Sequence, residues 1–154
     1  MKKELIYTAG LFDCEGSVTL TRGHKTAKFR TPVAELSSTT KELVEYLKNT
    51  FGGCICNHKP INEKWKHAYN WRVSYDNALE FLKQIRPYIK VPEKTKRIDL
   101  LLKEYRKVTK RNGKYTQEEM TSKLNFERHF LEIGGRAGSR IPVFNTELTQ
   151  QLHV

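Results

Sequence analysis

Two pairs of period-two segments, with a helical stretch between the pairs, constrain this chain more than any other feature. In residues 17–22 Val18 and Leu20 alternate with Thr19 and Thr21. Successive strand side chains point to opposite faces, so the run predicts a half-buried strand. Arg22-Gly23-His24-Lys25-Thr26 reads as a basic turn, after which residues 28–37 resume an extended pattern with Ala34 and Leu36 alternating with Val33 and Glu35. A second hairpin is predicted over 54–59 and 68–74, with Tyr69, Trp71 and Val73 on one face and Asn70 and Arg72 on the other.

The segments around these hairpins carry helical spacing. A short first helix is expected over residues 4–14, through Leu5, Tyr7 or Thr8, Leu11 and Phe12. Thr39 or Thr40 can cap a helix through Leu43, Val44 and Leu47 that closes at Phe51-Gly52-Gly53. Asn77 opens another through Phe81, Leu82 and Ile85, which Pro87 ends. After Pro92 an amphipathic helix over 93–108 turns Ile98, Leu101, Leu102 and Tyr105 inward, and 117–133 read as a further helix. Two antiparallel hairpins can join into one four-stranded sheet with helices on its apolar face, an α+β architecture. Residues 1–107 are expected to form the core domain and 108–154 a basic C-terminal extension of it. Gly134-Gly135-Arg136-Ala137-Gly138 marks a break before a tail with Arg136 and Arg140, expected to order on a partner.

At 154 residues, 38% of them apolar and with a formal net charge of +11, the chain is long enough for one real core. It is too rich in aromatics to be a disordered basic tail. The positive excess points to a polyanion, nucleic acid first, since Lys and Arg displace counterions condensed on phosphates. Three cysteines, Cys14, Cys54 and Cys56, are odd in number, and the last two lie too close for an ordinary bridge, which suggests a reducing intracellular compartment. No membrane-spanning or targeting segment is visible. Cys54-Ile55-Cys56 with His58 departs from zinc-ligand spacing. The glycine-rich and G-x-S-x-G motifs of nucleotide binding and serine hydrolysis are missing.

One of only three aspartates sits in Asp13-Cys14-Glu15-Gly16, at the end of the first predicted helix. Carboxylates at a helix C-terminus face its partial negative charge, so something must offset them. A divalent cation suits hard carboxylate oxygens; alternatively, Asp13 caps and Glu15 is simply solvated. Tyr7-Thr8-Ala9-Gly10-Leu11-Phe12-Asp13-Cys14-Glu15-Gly16-Ser17-Val18 resembles the signature of the LAGLIDADG homing endonucleases, with Ala9-Gly10 and the acid-x-acid-Gly ending intact. Residues 81–89 with Lys94-Thr95-Lys96 resemble that family's weaker second landmark, and the likeness extends over about residues 4–107.

The resemblance implies an αββαββα saddle that makes a double-strand break in a long pseudo-palindromic DNA target. The family needs two such helices and this chain has one, which implies a homodimer packed through Tyr7, Ala9, Gly10 and Phe12. Small residues let helices approach closely, and a two-fold dimer reads a two-fold site. Glu15 aligns with the family's metal-binding acid, although most members place Asp there. The resemblance implies Mg²⁺ at Glu15, with the carbonyl of Cys14 as a further ligand and Asp13 more structural than metal-binding. Lys94 aligns with a basic residue near the active site and Ser38 with a polar position near the hydrolytic water. An alternative is a relative that has lost cleavage and serves as an intron RNA maturase or DNA-binding regulator.

The sheet face away from the helices is the expected DNA reader. Thr19, Thr21, Arg30, Asn70 and Arg72, with Cys56, His58 and Lys66, have side chains that reach base edges and phosphates in a major groove. A one-residue register slip sends the whole set to the core. Lys110 and Arg111, within a run of six Lys or Arg over 103–114, are expected to grip phosphate.

Overall fold

The computed structural model describes residues 1–58, 60 and 62–134. Arg136 and Arg140 of the expected arm lie outside them. In chain order the elements are α1 (Lys2–Glu15), β1 (Gly16–Thr21), β2 (Thr31–Ser38), α2 (Lys41–Phe51), β3 (Cys54–His58), β4 (Ala68–Ser74), α3 (Tyr75–Ile85), a 3₁₀ turn (Arg86–Tyr88), α4 (Pro92–Val108) and α5 (Gln117–Glu132). The two hairpins join through β2 and β4 into an antiparallel sheet of order β1-β2-β4-β3. The α+β class and the αββαββα order expected from the period changes are both present, with α4 and α5 added.

The register separates two faces. Rows such as Gly16–Leu36–Trp71–Ile55 and Val18–Ala34–Val73 cross the sheet on its helical side. They feed one core with Ala9, Phe12, Leu47, Phe81, Leu82, Ile85, Ile98 and Leu101. Phe81 is its aromatic hub, with Phe12, Phe51 and Trp71 rings at 5.6, 5.1 and 4.9 Å in edge-on arrangements. Burying one such ring contributes roughly 1.5–3 kcal/mol. Trp71 also satisfies its indole N–H, which donates to the carbonyl of Gly52 at 2.8 Å.

Local chemistry sets the boundaries. Gly52, at φ +75° and ψ −154°, adopts a positive-φ conformation open in practice only to glycine, and ends α2. Thr116 and Glu119 form a reciprocal capping box that starts α5. That helix is no detached extension, since Phe126 and Phe130 belong to the same core. The second strand begins at Thr31 rather than at residue 28, because 22–30 form the connecting loop. Among the described residues no helix is long and apolar enough to cross a membrane.

Candidate active site and nucleic-acid interface

The acidic motif forms the junction where α1 runs directly into β1. Gly16 is required there by contact: any Cβ would enter the buried Phe12 ring. The two acids on either side of Cys14 have different fates. Asp13 accepts backbone N–H bonds from Lys90 at 2.8 Å and Val91 at 3.2 Å, one on each carboxylate oxygen. It therefore ties α1 to the start of α4, where a negative group favours the helix N-terminus. Asp13 thus acts as a structural joint between the two helices, with one backbone N–H bond on each of its oxygens. Glu15 is exposed, and among the described residues its carboxylate takes part in no hydrogen bond or ion pair.

Lys94 comes from 79 positions beyond Glu15 to the same junction. Its ammonium donates to the carbonyls of Phe12 at 2.6 Å and Asp13 at 2.7 Å, and lies 5.9 Å from the Phe12 ring centre. Those carbonyls belong to the last turn of α1, which has no basic residue of its own; the Phe12 carbonyl also accepts the Gly16 amide. Partial burial pulls the Lys94 ammonium below the ordinary lysine value, against the opposing fields of Asp13, Cys14, Glu93 and Glu15. The charge offset expected from a cation is thus supplied in part by Lys94. Glu15 is left as the unengaged carboxylate of the junction.

Ser38 stands at the same end of the sheet, since Gly16 pairs with Leu36 two residues before it. Its hydroxyl accepts from the Thr40 amide at 3.0 Å, bridging into α2. Cys14 is an exposed free thiol, as are Cys54 and Cys56. Among the described residues no group of three or more His, Cys, Asp or Glu comes together to hold a metal ion within one chain.

The four residues expected at a helix pairing face divide. Ala9 and Phe12 are 0% exposed and belong to the core, which corrects their assignment to a dimer surface. Tyr7 is 53% exposed beside Ile6 at 49%, with its ring against Tyr46 at 5.7 Å. Gly10 is exposed, and nothing lies within 4 Å of where its Cβ would stand. Helical spacing puts Ile6, Gly10 and Cys14 in one line, so α1 has two apolar faces, one buried and one uncovered.

On the open sheet face, register rows Ser17–Glu35–Arg72–Cys54 and Ser37–Asn70–Cys56 gather the expected Cys56, Asn70 and Arg72, with Thr19 opposite Val33 and Thr21 opposite Thr31. Arg72 donates to the Thr21 hydroxyl at 3.0 Å, and the Asn70 amide sits between Ser37 and Glu35. Ser17, Glu35 and Ser37 were missed, although alternation with Ala34 and Leu36 marks the latter two. Lys66 is exposed in the β3–β4 loop. His58 ends β3, and its side chain lies outside the described residues.

Two basic residues are committed elsewhere. Arg30 precedes β2 on the parity of Ala34 and Leu36; its amide donates to Glu127 of α5 at 2.8 Å and its guanidinium to the Leu20 carbonyl at 3.4 Å. It fastens α5 to the sheet and is removed from the reading face. Lys110 pairs with Glu119 at 2.7 Å and donates to the Lys114 carbonyl at 3.1 Å, closing the α4–α5 loop. Arg111 remains exposed.

No family model matches the sequence, and neither does any curated protein. Solved structures do match. The homing endonuclease I-CvuI, in complex with its target in the presence of calcium, aligns with a TM-score of 0.63 at 12% identity over 91% of this chain and 87% of its own. The archaeal intron-encoded homing endonuclease I-Vdi141I, complexed with DNA, gives 0.60 at 14% identity over 91% and 89%. The LAGLIDADG homing endonuclease I-GzeII, in complex with a DNA target, gives 0.59 at 14% identity, over 80% of this chain but only 43% of its own. With the acid-x-acid-Gly segment at the junction of α1 and β1, this chain has the fold of the LAGLIDADG homing endonucleases.

Proposed function

We propose that the chain is a site-specific homing endonuclease that makes a double-strand break in a long pseudo-palindromic DNA duplex as a Mg²⁺-dependent homodimer. The observation that carries this reading is the free Glu15 carboxylate beside Lys94, at the end of a helix whose Ile6–Tyr7–Gly10 face is uncovered. The fold likeness to DNA-bound endonucleases supports the substrate class.

At the α1–β1 junction each chain offers one unengaged carboxylate, Glu15, whereas a hard divalent ion takes about six oxygen ligands. The donor set therefore fits a shared site, with Glu15 and the Cys14 carbonyl from each of two protomers and the remainder from scissile phosphates and water. Asp13 is not among the ligands. Mg²⁺ bound there supplies an activated water and charge stabilisation at the leaving oxygen. Lys94 fixes the end of α1 and presents a cation next to the phosphate, where developing charge is stabilised. Thr19, Thr21, Asn70 and Arg72 face the major groove, with Arg72 suited to guanine.

The test is sequencing of the ends released from a randomised duplex library in Mg²⁺, with Ca²⁺ and Glu15→Gln as controls. Breaks at one pseudo-palindromic sequence that need both Mg²⁺ and Glu15 are expected. Retention of duplex without breaks overturns the nuclease reading in favour of a DNA-binding regulator or RNA maturase.

A further inference from the structure

The end of the sheet opposite Glu15 holds a second candidate site. There β1 ends, β2 starts and β4 ends side by side, as Thr21 pairs with Thr31 and Val33 with Ser74. A cavity of about 580 Å³ opens at this rim, lined by Tyr75, Asp76, Tyr105, Arg106, Thr109 and Arg111.

Three features distinguish it. Tyr75 is the one non-glycine among the described residues with positive φ, at 56°, and it is 58% exposed. A bulky residue in that region is uncommon and persists only where its surroundings hold it, often at a functional site. Its hydroxyl lies beside Gly23 of the β1–β2 loop. Arg111 is exposed and, among the described residues, makes no hydrogen bond or ion pair, while Arg106 is held by Asp76 at 3.3 Å on the surface. Finally, Phe29 packs on Tyr115 at 4.7 Å and joins the β1–β2 loop to the α4–α5 loop. Exposed Arg22, Lys25 and Lys28 thereby continue the positive charge along the rim. A small free anion needs only the cavity; an extended basic rim suits a chain of phosphates.

We propose that this cavity seats a phosphodiester of the DNA backbone at the outer end of each protomer's contact. Arg111 and Arg106 donate to its oxygens, and the Tyr75 ring packs against the neighbouring deoxyribose. The inference rests on the duplex-binding reading above. At about 3.3 Å per residue, the six residues of β1 place this contact roughly 20 Å from Glu15. It therefore positions the duplex without touching the reacting phosphate. Asp76 opposes the phosphate, which gives the cavity an internal control of opposite sign.

The experiment is binding of a random-sequence DNA duplex in Ca²⁺ as a function of salt, for the wild type, Arg111→Gln, Asp76→Asn and Tyr75→Gly, with thermal melting of each. Arg111→Gln should lower the slope of log affinity against log salt by about 1 per seated phosphate, uniformly across sequences. Asp76→Asn should tighten binding several-fold at low salt. Tyr75→Gly, which removes the strained side chain, should weaken binding without lowering the melting temperature. Unchanged salt slopes and affinities in Arg111→Gln and Asp76→Asn, with a wild type that binds, overturn this inference and leave the proposed function standing. A wild type that retains no duplex overturns both.

Discussion

The Lys94 ammonium donates to the backbone carbonyl of Asp13 at 2.7 Å, while the Asp13 carboxylate accepts the amides of Lys90 and Val91. A cation thus sits at the C-terminus of α1 and an anion at the N-terminus of α4, the favourable sense at both helix ends. Lys94, proposed above to stand next to the phosphate, thus also makes a structural joint with Asp13. Lys94→Met and Asp13→Ala should each lower stability by about 1–3 kcal/mol, since each leaves backbone groups without partners. The double variant should lose less than the sum, because both hold one helix junction. Urea denaturation of the four proteins checks this; strict additivity would mean that the two contacts act independently.

Gly10 separates folding from pairing. With nothing within 4 Å of its Cβ position, Gly10→Ala should fold and gain about 0.5–1 kcal/mol from helix propensity. Gly10→Lys should also fold, yet remain a monomer in analytical ultracentrifugation, because a long charged side chain blocks a close helix crossing. A dimer unaffected by Lys at this position would place the interface elsewhere. Ala9, at 0% exposure, is unsuitable for the same test, since a charge there disrupts the monomer core.

Arg72 and Arg30 offer a matched contrast. Arg72 lies on the open face against Thr21, whereas Arg30 is tied to Glu127 on the helical side. Arg72→Ala should relax preference at one symmetric pair of base positions, at a cost of about 1–3 kcal/mol. Arg30→Ala should leave base preference intact and lower the melting temperature. Selection of bound sequences from a randomised duplex distinguishes them, and a uniform loss for Arg72→Ala would make it a phosphate contact.

The strands were legible in the sequence because period two leaves only two faces, and Val18, Leu20, Trp71 and Val73 choose between them. Lys94 matched by motif, but its donation to Asp13 was hidden: no spacing rule joins residues so far apart in the chain. The faces of α1 were misread at Ala9 and Phe12 because this helix is apolar on two sides, and periodicity alone does not say which side meets its own sheet. Arg30 was misplaced although its parity with Ala34 and Leu36 already put it on the covered face. Glu127, its captor, lies in a helix whose docking site depends on the assembled core. Tyr75 gave no signal at all, since its importance lies in a backbone angle.

Lys123 provides the last test. It is 1% exposed, with its ammonium 4.1 Å from the Tyr105 ring centre, 5.6 Å from that of Phe126 and 2.5 Å from the Thr109 hydroxyl. Burial lowers its pKa from 10.5 to about 8, with Glu127 opposing the shift. Below pH 8 the folded protein carries the full cost of a buried cation. Between pH 8 and 10.5 the unfolded chain retains a proton that the folded state has released, so stability should rise with pH across that window. The upper bound is about 3 kcal/mol, at 1.36 kcal/mol per pKa unit. Burial also raises the Glu127 carboxyl above its ordinary value, against the Arg30 amide that it accepts and the charges of Lys123, Arg30 and Arg22. Lys123→Met should abolish the rise and be about 1 kcal/mol more stable at pH 7, since relief of desolvation exceeds the lost cation–π attraction. Urea midpoints from pH 7 to 9.5 for both proteins decide it: a variant less stable at pH 7 would show that the aromatic cage and Thr109 outweigh the burial penalty.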